Sequence, residues 1–291
     1  MRPDKPSFTA AVVAFGRGVG LGGRRDDVAR ALLPAPFAVA LDALGRAPLP
    51  RAITEGAARV GTLGLVDHAS LRMAAVDDAV ACAVKPDVGR PLDQVVLLGA
   101  GLDSRAWRMH ELAAATVFEI DHPATQAYKR GRVDALELRA HDVRFVPVDF
   151  ARESIGGALP GLGHDPESAT LWLWEAVTMY LTLDAIEATL AEVAARSAPG
   201  SVLLVTYATR TAMDVPVVSP VIRAAFRVFG EPLIGAMHPD EAHAMLGRTG
   251  FEVTSDTGST DWSERWGGSP RLARPFSSER LVVARLRTGA R

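Results

Sequence analysis

The chain reads as an α/β protein with a doubly wound, mostly parallel sheet of seven strands, and two observations predict it. From Pro91 onward, short β-branched runs alternate with helical stretches, the sequence form of stacked βα units. One of those runs, Val95-Val96-Leu97-Leu98, passes directly into the turn Gly99-Ala100-Gly101 and from there into a helix, which is how such a sheet opens a ligand crevice at a strand end. Strands are expected at Gln94 to Leu98, Thr116 to Ile120, Arg144 to Val148, Thr170 to Trp174, Ser201 to Tyr207, Phe251 to Thr254 and Arg280 to Leu286. Between them, helices are expected at Ser104 to Leu112, Pro123 to Glu137, Leu183 to Ser197 and Pro239 to Arg248. The last two follow the helix-start signals Thr182 with Asp184 and His238-Pro239-Asp240. Residues 208–237 exceed an ordinary connection and carry the apolar segment Val217 to Phe229, so they read as an inserted lid or a dimer element.

Residues 1–91 form a different unit, an N-terminal helical cap without a convincing strand, ahead of a core of residues 92–291. Asp26 to Ala31 and Phe37 to Leu44 are short helices separated by Pro34 and Pro36. Before them, Gly16, Gly18, Gly20, Gly22 and Gly23 interrupt any sustained apolar stretch, so no signal peptide is expected. Ser70 to Val84 sets Leu71, Ala74, Ala75 and Ala79 against Arg72, Asp77 and Asp78, as a helix lying over another element does.

The 291 residues are 48% hydrophobic, enough for a large core. With 32 basic against 34 acidic side chains, the formal charge of -2 leaves no footprint for a nucleic-acid backbone or an anionic membrane. No apolar run is long enough to span a bilayer. A small-molecule partner, free or bound to a carrier or peptide, fits better, and a homo-oligomer is compatible with the sequence. The single cysteine, Cys82, excludes an intramolecular disulfide and reads as a buried thiol in a reducing cytoplasm.

The glycine turn is the first part of the candidate site. Glycines let the backbone bend sharply and approach a ligand where a Cβ would clash. The third glycine of a dinucleotide-binding turn is absent, because Ser104 stands in its place, and this disfavours a pyrophosphate cofactor. The next strand ends in Glu119-Ile120-Asp121, about 20 residues past the turn, where a carboxylate grips a ribose diol. Asp121, at the carboxyl end, is preferred and Glu119 is second. A third strand end supplies Asp149 and Phe150, an acid and a ring suited to an adenine amine and its flat face. A fourth supplies Glu175, beside the glycine turn in the usual strand order and suited to an ammonium or a sulfonium.

These segments resemble the leucine carboxyl methyltransferase-like branch of class I S-adenosylmethionine-dependent methyltransferases, which includes bacterial O-methyltransferases of secondary metabolism. The resemblance rests on VVLLGAGLDSR (residues 95–105), VFEIDHPATQ (117–126), FVPVDF (145–150) and WEAVTMYL (174–181), with LRMAAVDDAV (71–80) as the family's arginine-bearing cap helix. It implies a Rossmann-like seven-stranded methyltransferase sheet and S-adenosyl-L-methionine as cofactor. It further implies that Arg72 holds the methionine carboxylate, Gly99, Ala100 and Gly101 line the methionine, Asp121 takes the ribose, Asp149 and Phe150 the adenine, and Glu175 the amino group. An arginine fork suits a carboxylate and a carboxylate suits an ammonium. For Arg72 the plain alternative is a surface ion pair with Asp77 or Asp78.

Methyl transfer requires near-attack geometry and exclusion of water rather than a nucleophilic side chain. A carboxylate acceptor, as in the family's name-giving members, is already ionised at pH 7, whereas a phenol or alcohol calls for a base, with His68, His122, His141 and His238 as the histidines to consider. Tyr180, Tyr207 and Arg210, at or beyond strand ends, are the candidate acceptor-side residues. His238 and His243 read as a helix-start cluster rather than a metal site. A nicotinamide-dependent oxidoreductase is disfavoured, because Tyr128 is followed four places later by Arg132 and not by lysine. A non-catalytic protein that binds S-adenosylmethionine is the remaining rival.

Overall fold

The computed structural model describes residues 8–48, 50–62, 64–85, 92–148, 154–210, 234–269 and 278–287. All seven expected strands are present: Gln94–Leu98 (β1), Thr116–Asp121 (β2), Asp142–Pro147 (β3), Thr170–Trp174 (β4), Val202–Thr209 (β5), Phe251–Gly258 (β7) and Glu279–Leu286 (β8). An eighth, the two-residue strand Ala236–Met237 (β6), pairs with the end of β5. The order is β3-β2-β1-β4-β5-β8-β7, with β8 antiparallel to both of its neighbours. All five residues of β1 and of β4 are buried, as expected for parallel strands covered on both faces. Alternate residues feed two cores: Val95, Leu97, Leu171, Leu204 and Leu281 on one face, Val96, Leu98, Trp172, Leu203 and Val282 on the other. The chain order reverses between β1 and β4, and an open sheet of this kind forms its crevice at that switch point.

The N-terminal part folds into helices Phe8–Val19 (α1), Ala29–Leu32 (α2), Ala35–Arg46 (α3), Arg51–Gly61 (α4) and Leu65–Val84 (α5). Helix α1 runs through Gly16 and Gly18 and ends at Val19, ahead of Gly20, whose φ is +78°. A Cβ on Gly16 would lie 2.8 Å from the Ala69 Cβ of α5, so this glycine lets two helices approach closely. Apolar residues of this part, Ala11, Leu32 and Leu71, join the same cluster as Val95 and Val202 of the sheet. Cys82 is exposed and not buried. It lies one helical turn beyond Asp78 on the outward face of α5.

In the second part, the predicted helix 104–112 is Arg105–Arg108 (α6) followed by a 3-10 turn at His110–Leu112, the break falling at extended Met109. The others are Pro123–Val133 (α7), Ile155–Ala158 (α8), Leu183–Ala195 (α9), Pro239–Arg248 (α10) and Ser259–Trp266 (α11). Of the expected lid 208–237, residues 208–210 extend or follow β5 and 234–237 lead into and form β6; the remainder lies outside the described residues. No helix among the described residues is long and apolar enough to cross a membrane.

A buried imidazole beneath the sheet gives the fold an acid limit. His164 is 4% exposed, with its ring centroid 5.6 Å from Phe118 and 5.4 Å from Trp172. Burial, helped by the Arg196 charge, pushes it down to about 4 from its ordinary 6.5. The unfolded chain therefore binds the extra proton first. The stability this imidazole contributes is complete above about pH 6.5 and is lost as pH falls toward 4, at most about 3 kcal/mol. Urea midpoints measured between pH 7.5 and 4 should fall more steeply for the native chain than for His164→Gln. Parallel curves would contradict this account.

Candidate active site

β1 ends in the turn where Gly99 and Gly101 take φ of +70° and +51°, a region that favours glycine. A Cβ on Gly99 would lie 2.6 Å from Val177 Cγ2, so the segment after β4 fits directly against the turn. From the end of β2, the Asp121 carboxylate accepts hydrogen bonds from the Gly101 N–H and, at 2.6 Å, from the His122 N–H. Burial pushes its pKa up while those two N–H groups oppose the shift. The preferred carboxylate thus touches the turn itself. His122 supplies a helix cap, its Nδ1 accepting from Ala124 N at 3.2 Å ahead of Pro123.

Glu175 follows β4 immediately, and the next residue, Ala176, is held at φ +57° with its N–H donated to Thr206 Oγ1 at 2.8 Å. A non-glycine residue in this region is strained, and such strain gathers at functional sites. The carboxylate is held from two sides: Arg72 Nε donates to Oε1 at 2.9 Å, and Arg105 Nη1 lies 2.8 Å from Oε2. Arg72 is therefore not the surface partner of Asp77 or Asp78. It is 3% exposed and bridges Glu175 to Glu279, to which its Nη1 donates at 2.6 Å. Asp77 instead binds Arg105 and Arg108, while Asp78 binds Arg265.

Arg105, the last residue of the glycine motif, is 1% exposed and contacts Asp77, Asp103 and Glu175. On Glu279, burial pulls the carboxyl upward, but the Arg72 guanidinium and the His68 hydrogen bond outweigh it and hold it at about 2. His68 Nε2 lies 2.7 Å from Glu279 Oε2. Sequence reasoning gave no role to Arg105 or Glu279. Arg105 could have been singled out by its place in the motif; Glu279 opens an ordinary edge of a strand and carries no local signal.

The other candidates separate. Glu119 is 1% exposed and faces Lys129 Nζ at 2.8 and 2.6 Å, so the second-choice ribose acid is an internal ion-pair partner beneath Asp121. Tyr207 is also corrected: it is 2% exposed, lies in the apolar face that includes Leu246 and Met245, and donates its hydroxyl to Asp256 at 2.9 Å. Tyr180 is half-buried in the 3-10 turn Thr178–Tyr180 just after Glu175. Arg210, half exposed, donates to Ala236 O at 3.1 Å and lies 3.3 Å from Glu241. His238 starts α10, its N–H donated to Glu241 Oε2, whereas His243 binds Asp256 at 2.7 Å. Asp149 and Phe150 lie outside the described residues.

The residues present fit an adenosyl amino acid. The turn lacks Cβ atoms at Gly99 and Gly101, the Asp121 carboxylate could accept from a hydroxyl pair, and Glu175 could face an ammonium. Arg105 Nη2, buried and without a hydrogen-bond partner among the described residues, could donate to a carboxylate. The comparisons agree with this chemistry. The leucine carboxyl methyltransferase family model matches residues 22–194. A Streptomyces coelicolor protein named "Putative S-adenosyl-L-methionine-dependent methyltransferase" is 34% identical over 210 residues, 70% of this chain and 71% of that one.

The chain belongs to the leucine carboxyl methyltransferase family. It is thus a member of an S-adenosylmethionine-dependent methyltransferase family. Relatives of the same name from Streptomyces avermitilis and Frankia alni are 41% and 38% identical, over matched stretches that cover 42% and 57% of this chain and span 43% and 56% of their own lengths. In fold, this leucine carboxyl methyltransferase family member is similar to a solved DUF574 family protein from Streptomyces avermitilis. The two share a TM-score of 0.63 at 14% identity, covering 97% of this chain and 98% of the other. A second solved structure, from Thermobifida fusca, gives a TM-score of 0.60 at 19% identity over 98% and 96% of the two chains.

Proposed function

We propose that this chain transfers the methyl group of S-adenosyl-L-methionine to an oxygen of a small-molecule acceptor of secondary metabolism. The observation that carries the reading is the opposition of two carboxylates across the β1–β4 switch point: Asp121 on the Gly101 N–H, and Glu175 held by Arg72 and Arg105. Bound there, S-adenosylmethionine supplies an electrophilic methyl on a sulfonium. The chain's part is to hold donor and acceptor in line and to exclude water.

A carboxylate acceptor, giving a methyl ester, accords with the family's name and needs no base, being ionised at neutral pH. A phenol or alcohol is the second reading, favoured by the His68–Glu279 pair beside Arg72. Isothermal titration calorimetry with S-adenosylmethionine, S-adenosylhomocysteine and NADH tests the donor site. Both adenosyl ligands should bind at micromolar Kd and NADH should not. Asp121→Ala should weaken adenosyl binding by about 100-fold, on the order of 2.7 kcal/mol for the loss of charge-assisted hydrogen bonds. Absence of adenosyl binding would remove the methyltransferase reading.

A further inference from the structure

Thr206 is fully buried in β5, one residue past Val205, the last that pairs with β4. There it meets the segment that leaves β4 through Glu175. We propose that Thr206 is a positioning residue of the donor site, its hydroxyl holding Ala176 so that the neighbouring Glu175 carboxylate stays aimed at the ammonium of the donor. The proposal rests on the S-adenosylmethionine reading of the site and not on the choice of acceptor.

Every residue of β5 is buried. A hydroxyl in such a strand calls for a partner, whereas valine would have the same shape without that demand. Thr206 makes two bonds to one short segment. Its Oγ1 accepts the Ala176 N–H at 2.8 Å, and its carbonyl accepts from Thr178 Oγ1 at 2.7 Å. The segment is thus caught on both sides of Val177.

What the clasp holds is strained. Ala176 has φ of +57° and is, among the described residues, the one non-glycine with positive φ. In that region the Cβ is crowded, and a residue with a side chain stays there only when its surroundings hold it. The neighbours of Ala176 meet different partners. Val177 Cγ2 lies 2.6 Å from the place of a Gly99 Cβ, while Glu175 reaches Arg72 at 2.9 Å and Arg105 at 2.8 Å. Relaxation at Ala176 would shift both contacts.

The turn beyond is anchored elsewhere, with the N–H groups of Ile234 and Gly235 donated to Met179 O at 2.9 and 3.0 Å. Release of Ala176 therefore falls on residues 175–177. The two arginines do not replace the clasp. Arg72 also binds Glu279, and Arg105 also binds Asp77 and Asp103, so neither guanidinium by itself sets where the Glu175 carboxylate stands.

Isothermal titration calorimetry of the full chain tests this, with S-adenosylhomocysteine and with 5′-methylthioadenosine, which carries the adenosine but no ammonium. Thr206→Val is expected to weaken S-adenosylhomocysteine about tenfold, the worth of one hydrogen bond, and 5′-methylthioadenosine by less than about twofold. Thr206→Ser restores the hydroxyl and should bind S-adenosylhomocysteine within about threefold of native. Ala176→Gly added to Thr206→Val should regain at least about threefold, because glycine takes positive φ freely.

Unchanged S-adenosylhomocysteine affinity in Thr206→Val overturns the proposal, as does equal weakening of the two ligands, the result of a merely structural hydroxyl. A Thr206→Ser protein as weak as Thr206→Val, or a double variant that regains nothing, overturns it as well. So does an Ala176 amide that exchanges in the native, S-adenosylhomocysteine-bound chain as fast as an exposed one, a readout that requires no variant to fold. Failure of the native chain to bind S-adenosylhomocysteine is a different result and removes the donor reading instead.

Discussion

Arg105→Met is expected to lower the melting temperature by roughly 10 °C and to weaken S-adenosylhomocysteine binding at the same time. The side chain is 1% exposed and lies between Asp77, Asp103 and Glu175. Its removal leaves carboxylates that burial alone would drive toward protonation. Breaking a buried pair from one side costs about 3–5 kcal/mol, and about 4 kcal/mol in a chain of this size shifts the midpoint by roughly 10 °C. Arg105→Lys keeps the charge, but a single ammonium cannot present a planar fork to three carboxylates, so only part of the loss should return. Calorimetric scans of the three proteins measure this. A midpoint for Arg105→Met within 3 °C of native would mean that the network does not hold the strand end in place.

The second large effect is expected at Lys129, whose Nζ faces both oxygens of Glu119 while lying 5.0 Å above the Trp107 ring. Burial pushes the Glu119 carboxyl up to about 7, against the pull of Lys129. A carboxyl raised in this way makes its most favourable contribution below its unfolded value and loses it as pH rises through the folded one. Lys129→Met removes the opposing charge and raises the carboxyl further. The variant should therefore lose about 3–5 kcal/mol at pH 8 and much less at pH 5, where Glu119 folds protonated. Adding Glu119→Gln should restore most of the loss at pH 8. Denaturant midpoints of the single and double variants at both pH values decide the matter, and a pH-independent loss would contradict it.

The elements that position the site were legible because they are local. A buried run such as Val95 to Leu98, a glycine where φ is positive, and a proline after His122 each act within a few residues. The expected strands agree with the observed ones to within four residues at either end. The short strand at Ala236–Met237 was not legible, since two residues carry no period. The close approach of α1 to α5 at Gly16 was not legible either, because the partner of that glycine, Ala69, lies in another helix and not in its own segment.

Asp121 and Glu175 could be named from strand ends, and Arg72 from its motif, because carboxyl ends of parallel strands converge on one crevice whatever the rest of the chain does. Their partners could not. Arg72 meets Glu175 at 103 residues' separation and Glu279 at 207, and His68 meets Glu279 at 211. Periodicity and turn chemistry are properties of neighbouring residues and survive in the linear chain. The pairing of buried charges is chosen by which strand the sheet order sets beside which helix, and that order, β4-β5-β8 under α5, exists only once the chain has folded.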